Sequence, residues 1–367
     1  MTITKKTREA NLDILRIISM LLIIFLHSID HSGVLENAQN CSTLMYYYVR
    51  FTYALCMVCV NIYVMLSGYF MVTAKFKLNK LVTLWMEASF YSFVLKLVFM
   101  LIGKETFSVV SLVSCFFPIL TGRYWFLTIY VGLYLVSPFL NILIQNLDKK
   151  QHGLLNICLF LIMSVWTSIH PAIAGMNSGG GWGLAWFVVL YIAAAWLRLY
   201  YKPNHKCALW LIGYALIALV LAFFTAPPMK DILPGIVLNV AKHWYRYDSA
   251  PVYIMTMCLF IGFLNIRISN EKISRVIVYI SSLTFAVYLI HAHANVSPWS
   301  WEVLDLPAKM TTPTFVFIQS GCVLGIFIGC ALIEAIRKFA VNRLGVEKLA
   351  HRMADRVQGV LNSRISR

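Results

Sequence analysis

Charge is scarce in this chain. Of 367 residues only 13% are Asp, Glu, Lys or Arg, while 60% are hydrophobic. Soluble domains carry roughly 25% charged residues, so too little polar material is present to cover a soluble fold of this length. An ordinary cytosolic enzyme, a disordered chain and a secreted disulfide scaffold are excluded on that ground. Internal repeats and low-complexity tracts are also lacking. No basic cluster has the aromatic interleaving or motif that nucleic-acid binding needs, so the net charge of +16 describes loops and tails beside a membrane. The nine cysteines are scattered, mostly in apolar runs. Cys56 and Cys59 form C-x-x-C without a second pair, which reads as packing rather than a metal or redox site. An outside pairing of Cys41 with Cys115 stays open.

What is abundant is long apolar sequence. A helix needs about 20 mostly apolar residues to cross a bilayer. Ten runs qualify: 11–30, 49–72, 81–102, 123–145, 153–170, 183–201, 207–226, 249–267, 276–296 and 313–336. They are continuous and do not alternate at period two, so helices are expected rather than barrel strands. The first run holds Asp13, Arg16 and His27 and has no small-residue cleavage site, so it reads as a mature helix and not a signal peptide. The expected fold class is therefore all-α, a polytopic membrane protein of about ten helices.

Lysine and arginine set the expected orientation. With the N-terminus inside, the inner segments hold Lys5, Lys6 and Arg8, then Lys75, Lys77 and Lys80, then Lys149 and Lys150, then Arg198, Lys202 and Lys206, then Arg267, Lys272 and Arg275. The tail adds eight more, from Arg337 to Arg367. Outer loops hold only Lys104, Arg123, Lys230, Lys242, Arg246 and Lys309. That bias follows the positive-inside rule and puts both termini in the cytoplasm. Residues 1–336 read as one transmembrane domain and 337–367 as a basic cytoplasmic tail, either solvated or an amphipathic helix on anionic lipid. Residues 104–122 are apolar but broken, as in a re-entrant or interfacial piece. The loop 171–182, with Asn177-Ser178-Gly179-Gly180-Gly181, reads as flexible and outside.

An Arg, Lys or Asp at a helix centre costs roughly 2.5–3.5 kcal/mol on insertion scales, so such residues are candidates for function. The first run is the richest. Between Arg16 and His27 lie eleven steps of about 100°, which return to within roughly 20° of the starting direction. The rise is about 16 Å. The two side chains share a face, and Asp13 sits one turn before Arg16, where it can pair with it. Two readings stay open: snorkelling of both ends to the headgroups, or a shared polar cavity. Glu87 and Lys96 fall on opposite faces of the third run, so they are not each other's partners. Asn61, Ser67 and Asn141 read as helix–helix hydrogen bonds. His291, one turn after Tyr288 and followed by His293, puts a second histidine-bearing helix in the outer half. The segment His243-Trp244-Tyr245-Arg246-Tyr247-Asp248-Ser249 suits either a sugar contact or an interfacial aromatic belt.

Taken together these residues resemble the membrane-bound acyltransferase 3 family, which includes polysaccharide and lipopolysaccharide O-acetyltransferases. Leu12-Asp13-Ile14-Leu15-Arg16 through His27 is similar to its Arg-x10-His element. Ser67-Gly68-Tyr69 resembles its Ser-Gly-Phe. Tyr124-Trp125-Phe126-Leu127 with Tyr134-Leu135-Val136-Ser137-Pro138 resembles its central helix. Tyr288-Leu289-Ile290-His291 resembles its Tyr-Leu-x-His. Where the family often has paired arginines after Ser-Gly-Phe, this chain has Lys75, Lys77 and Lys80, which supply charge without the bidentate fork. The family's frequent appended extracellular domain is missing.

The resemblance implies transfer of an acyl group, acetyl foremost, from cytoplasmic acyl-CoA to a sugar hydroxyl of a surface polysaccharide or its lipid-linked repeat unit, in a bacterial inner membrane. Membrane lipid, acyl-CoA and a carbohydrate acceptor are the implied partners. No permanently bound cofactor or metal is expected; acetyl-CoA is the donor substrate. His27 is then the general base or nucleophile, and His291 with Tyr288 orients the acceptor or stabilises charge. Arg16, Lys75, Lys77 and Lys80 would bind donor phosphates. The competing class is a transporter or flippase for a lipid-linked sugar; such folds often show repeats.

Overall fold

The computed structural model describes residues 9–170, 179–225, 235, 240–241, 243–344, 352, 354–356 and 358–359. The expected inner residues Lys5, Lys6 and Arg8, the outer Lys230 and Lys242, the loop residues Asn177 and Ser178, and most of the basic tail lie outside them. Among the described residues every regular element is a helix. Among the same residues eight segments are long and apolar enough to cross a membrane, and two of the apolar runs, at Leu184–Tyr200 and Ala250–Leu264, form shorter helices.

The principal helices are α1 (Ala10–Asp30), α2 (Thr43–Cys56), α3 (Cys59–Met71), α4 (Leu78–Leu101), α5 (Trp125–Gln145), α6 (Lys149–Phe160), α7 (Leu184–Tyr200), α8 (Cys207–Phe224), α9 (Ala250–Leu264), α10 (Glu271–Ser281), α11 (Thr284–His291), α12 (Val296–Leu304) and α13 (Phe315–Leu344). Their starts have local causes. Ser42 Oγ accepts from Met45 N at the head of α2, Asp148 and Gln151 form a capping box on α6, Ser249 caps α9 just before Pro251, and Asn270 caps α10. The broken stretch 104–122 contains one short helix, Val109–Ser114.

Three of the apolar runs are interrupted, and polar groups satisfy the freed backbone. Between α2 and α3 the helix breaks at Met57–Val58, and the Tyr214 hydroxyl donates to Leu55 O at 2.6 Å. Between α10 and α11 it breaks at Ser282–Leu283. There Thr284 Oγ1 donates to Ser281 O, and Lys338 Nζ donates to Ser282 O. Beyond α6 a π turn at Leu161–Val165 leads into Trp166–Ile169. Irregular backbone at membrane depth is tolerated where protein or a wet cavity surrounds it. The α10–α11 break lies against such a cavity.

Helix α1 is central, touching α2, α3, α9, α10, α11 and α13. Helices α7 and α9 are largely buried, and that is consistent with their shortness. Helices α5, α8 and α13 present exposed apolar side chains such as Phe139, Leu209 and Phe317, the face a lipid belt would cover. The helix of the last run continues unbroken through Arg337 to Leu344.

Gly68 explains its motif physically. A Cβ there would lie 2.9 Å from Tyr191 Cα and 3.1 Å from Tyr191 O, so α3 and α7 approach too closely for any side chain. Gly68→Ala is expected to destabilise the protein in nanodiscs by about 1–3 kcal/mol. Gly132→Ala, whose Cβ would meet only Leu184 side-chain atoms at 3.7 Å, serves as the control and should leave the thermal midpoint unchanged or higher.

The costly polar residues find separate partners. Arg337 bridges Glu87 (3.2 Å) and Glu334 (2.6 Å), and Tyr91 OH donates to Glu334 at 2.6 Å, which ties α4 to α13. Lys96 pairs with Glu105, whose other oxygen accepts from Asn295 Nδ2. Asn61 donates to Tyr247 O at 2.8 Å and accepts from Trp186 Nε1 at 3.0 Å. Asn141 donates to Met71 O and accepts from Tyr191 OH. Cys41 and Cys115 are both free, so the disulfide that the sequence left open is not formed: Cys115 Sγ donates instead to Ser111 O and Cys41 Sγ to Asn37 O.

Candidate active site

A cavity of about 580 Å³ runs beside α1. Arg16 and His27 both line it, as their shared helical face requires. Its other walls include Tyr63 and Ser67 of α3, Trp125 and Tyr130 of α5, Tyr245 and Tyr247 before α9, Ser281, Ser282 and Thr284 around the α10–α11 break, and Tyr288 of α11. The size falls within the roughly 300–1,000 Å³ range of small-molecule sites.

Towards the N-terminal end of α1 the guanidinium is held in a polar knot. Arg16 Nη1 donates to Asp13 Oδ1 (3.0 Å) and to Ser281 Oγ (3.1 Å), and Ser281 Oγ donates to Asp13 Oδ1 at 2.6 Å. Tyr63 OH donates to the Arg16 carbonyl at 3.2 Å. Asp13 is buried, so its pairing with Arg16 offsets the cost of desolvating both charges. This guanidinium therefore does not snorkel freely; it is aimed by two neighbours while it lines the cavity.

Eleven residues further on, three imidazoles meet. His27 stacks on His31 with ring centroids 4.3 Å apart and lies 5.2 Å from His291. The His27–His31 stack is the i, i+4 neighbour relation of a helix face. His291 is buried and does not line the cavity. Its Nδ1 sits 2.6 Å from Val287 O, a carbonyl that can only accept, so Nδ1 carries the proton and Nε2 the lone pair. Neither His27 Nδ1 nor His291 Nε2 has a hydrogen-bond partner among the described residues. Tyr288 lines the cavity, 6.4 Å from His291 ring to ring. Tyr124 OH donates to Leu289 O at 3.0 Å and thereby fixes α11 against the start of α5.

The three lysines lie elsewhere. Lys75 and Lys80 line a second, smaller cavity of about 270 Å³ with Tyr134, Asn141 and Gln145. Lys77 lines neither; its backbone N–H and C=O both bond Tyr134 OH at 3.0 Å. Gln358 of the tail accepts from Leu78 N and donates to Phe76 O, which closes the same loop from the other side. So Arg16 and His27 share a site, whereas the lysine loop forms a separate one.

Several residues of the site carry no signal in the sequence. Ser281, which completes the Arg16 knot, lies 265 positions away. His31 could have been found as His27 plus four. Trp182 falls at the end of a glycine-rich loop, yet it packs on Trp125 with centroids 4.4 Å apart. Tyr247 is held by Asn61, and burial pushes its phenol well above the ordinary value, so it stays neutral. Among the described residues no group of three or more His, Cys, Asp or Glu side chains could hold a metal ion.

Helix lengths and cavity together define a multi-pass membrane protein with a chamber inside its bundle, lined by apolar and aromatic side chains and a few charged and polar ones. The profile of the acyltransferase domain matches residues 9–334, nearly the whole chain, and the chain belongs to this family of membrane acyltransferases. Comparison with curated proteins and with solved structures gives no significant match.

Proposed function

We propose that the protein is an O-acyltransferase that moves an acyl group, acetyl in the first instance, from cytoplasmic acyl-CoA to a sugar hydroxyl of a surface polysaccharide or its lipid-linked repeat unit. The supporting observation is that Arg16 and His27, at the two ends of one stripe of α1, line a single cavity. Arg16 contributes charge-assisted donors to the donor's phosphate. His27 as general base takes the hydroxyl proton. The sugar oxygen bonds to the thioester carbonyl, the C–S bond breaks, and the proton passes to the departing thiolate. His27 as nucleophile would divide this into two steps through an acyl-imidazole. Tyr288, in the cavity wall, and His291, packed behind His27, position these groups. Lys75, Lys77 and Lys80 form the cytoplasmic loop that meets the donor's nucleotide before the thioester enters. Both termini are cytoplasmic in this reading, and the membrane is a bacterial inner membrane.

The test incubates membranes with acetyl-CoA labelled in the acetyl group. Ester-linked, alkali-labile label in the glycan is expected. Glycan moved between leaflets without gaining label would overturn the reading in favour of transport.

A further inference from the structure

We propose that Trp125, Trp182 and Tyr247 form a carbohydrate-binding platform that seats the acceptor's pyranose ring beside His27. This deepens, and rests on, the acyl-transfer reading. All three aromatic residues line the same cavity as His27. They gather at the end of the bundle where α1 finishes, since Trp125 opens α5, Trp182 precedes α7 and Tyr247 precedes α9.

The three rings form a closed set. The Trp125–Trp182 centroids are 4.4 Å apart, Trp182–Tyr247 5.6 Å, and Trp125–Tyr247 6.5 Å with only 20° between planes. An interfacial aromatic belt would spread its rings toward lipid. Here they cluster, with Trp182 tilted against both partners, Tyr247 buried beneath, and Trp182 51% exposed at the rim, where its free face is open. Aromatic faces carry negative quadrupole charge and attract the C–H-rich faces of a pyranose, which an aliphatic wall does not do.

The backbone is built for this closeness. Gly181 has φ +87°, and a Cβ there would lie 2.6 Å from Tyr247 Cβ and 2.9 Å from Asp248 N. Only glycine lets the chain turn so tightly against Tyr247 and deliver Trp182 to the platform. Asn61 holds the Tyr247 carbonyl at 2.8 Å from below.

Polar groups suited to hydroxyls line the same cavity. Arg246 is fixed by a two-point contact with buried Asp248, at 3.0 and 2.9 Å, and lines the cavity. Arg123 also lines it. Its Nη2 donates to Ser114 Oγ at 3.0 Å, while its buried Nε finds no partner among the described residues.

The experiment measures binding without donor. The source cell's surface polysaccharide is stripped of esters by mild alkali, tritiated at its reducing ends, and mixed with the full-length protein in nanodiscs. Wild type and Gly132→Ala, whose added methyl meets only Leu184 and lies outside the cavity wall, should retain it equally. Trp182→Ala should weaken retention about tenfold, and Trp182→Phe, which keeps an aromatic face, should recover most of it. Retention by Trp182→Ala equal to wild type, or no retention by wild type, overturns the platform. The acyl-transfer reading fails separately, if wild type binds the glycan but never esterifies it from acyl-CoA.

Discussion

Replacing His27 with alanine is expected to abolish acyl transfer while the protein still inserts and folds. Loss of a general base costs about 10²–10⁴-fold in rate, and loss of a nucleophile removes the route altogether. The structure separates this effect from a folding defect. His27 Nδ1 has no hydrogen-bond partner among the described residues, so removing that nitrogen orphans none of their donors or acceptors. What it loses is contact with the His31 and His291 rings, and His27→Gln restores part of that volume without a basic nitrogen. Both variants should show near-background acetylation from labelled acetyl-CoA, with membrane levels and thermal midpoints close to wild type. Robust activity in either one removes His27 from the mechanism. With acceptor withheld, label trapped on rapidly quenched wild-type protein but not on His27→Ala would select the acyl-imidazole route over direct transfer.

The parts of this site visible in the sequence are those set by helical period within one segment. Arg16, His27 and Asp13 sit on one helix, so rotation and rise alone place them, and the cavity lies along that face. The apolar runs were equally plain because a bilayer demands length and hydrophobicity together. Contacts between distant segments were not. Nothing near Ser281 shows that its hydroxyl reaches both Asp13 and Arg16 across more than 260 positions. The breaks within the second and ninth runs were hidden because hydropathy is blind to backbone dihedrals, although Ser281-Ser282-Leu283-Thr284 supplies the hydroxyls that such a break needs. Lys75, Lys77 and Lys80 share Arg16's sign and expected side, yet Lys75 and Lys80 line a different cavity and Lys77 lines neither. Trp182 was concealed by its glycines, which read as flexibility although Gly181 is packed against Tyr247.

Replacing Arg16 with alanine should raise the acetyl-CoA concentration needed for half-maximal transfer by roughly tenfold or more, the loss expected for a charge-assisted donor worth about 1.5–3 kcal/mol. The opposing possibility is that Arg16 serves only to neutralise buried Asp13, with Ser281 completing the set. The two roles predict different things of the pair. If Arg16 is structural, Arg16→Ala leaves a buried carboxylate uncompensated and the protein loses stability, and Asp13→Asn in the same chain rescues it. If Arg16 binds the donor, Asp13→Asn restores stability but not donor affinity. Arg16→Lys keeps the charge without the planar fork and should fall between wild type and alanine in donor dependence. Initial rates against acetyl-CoA, measured beside thermal midpoints for Arg16→Ala, Arg16→Lys, Asp13→Asn and the Asp13→Asn/Arg16→Ala double variant, decide it. An unaltered donor dependence in the stabilised double variant would reduce Arg16 to a counter-ion.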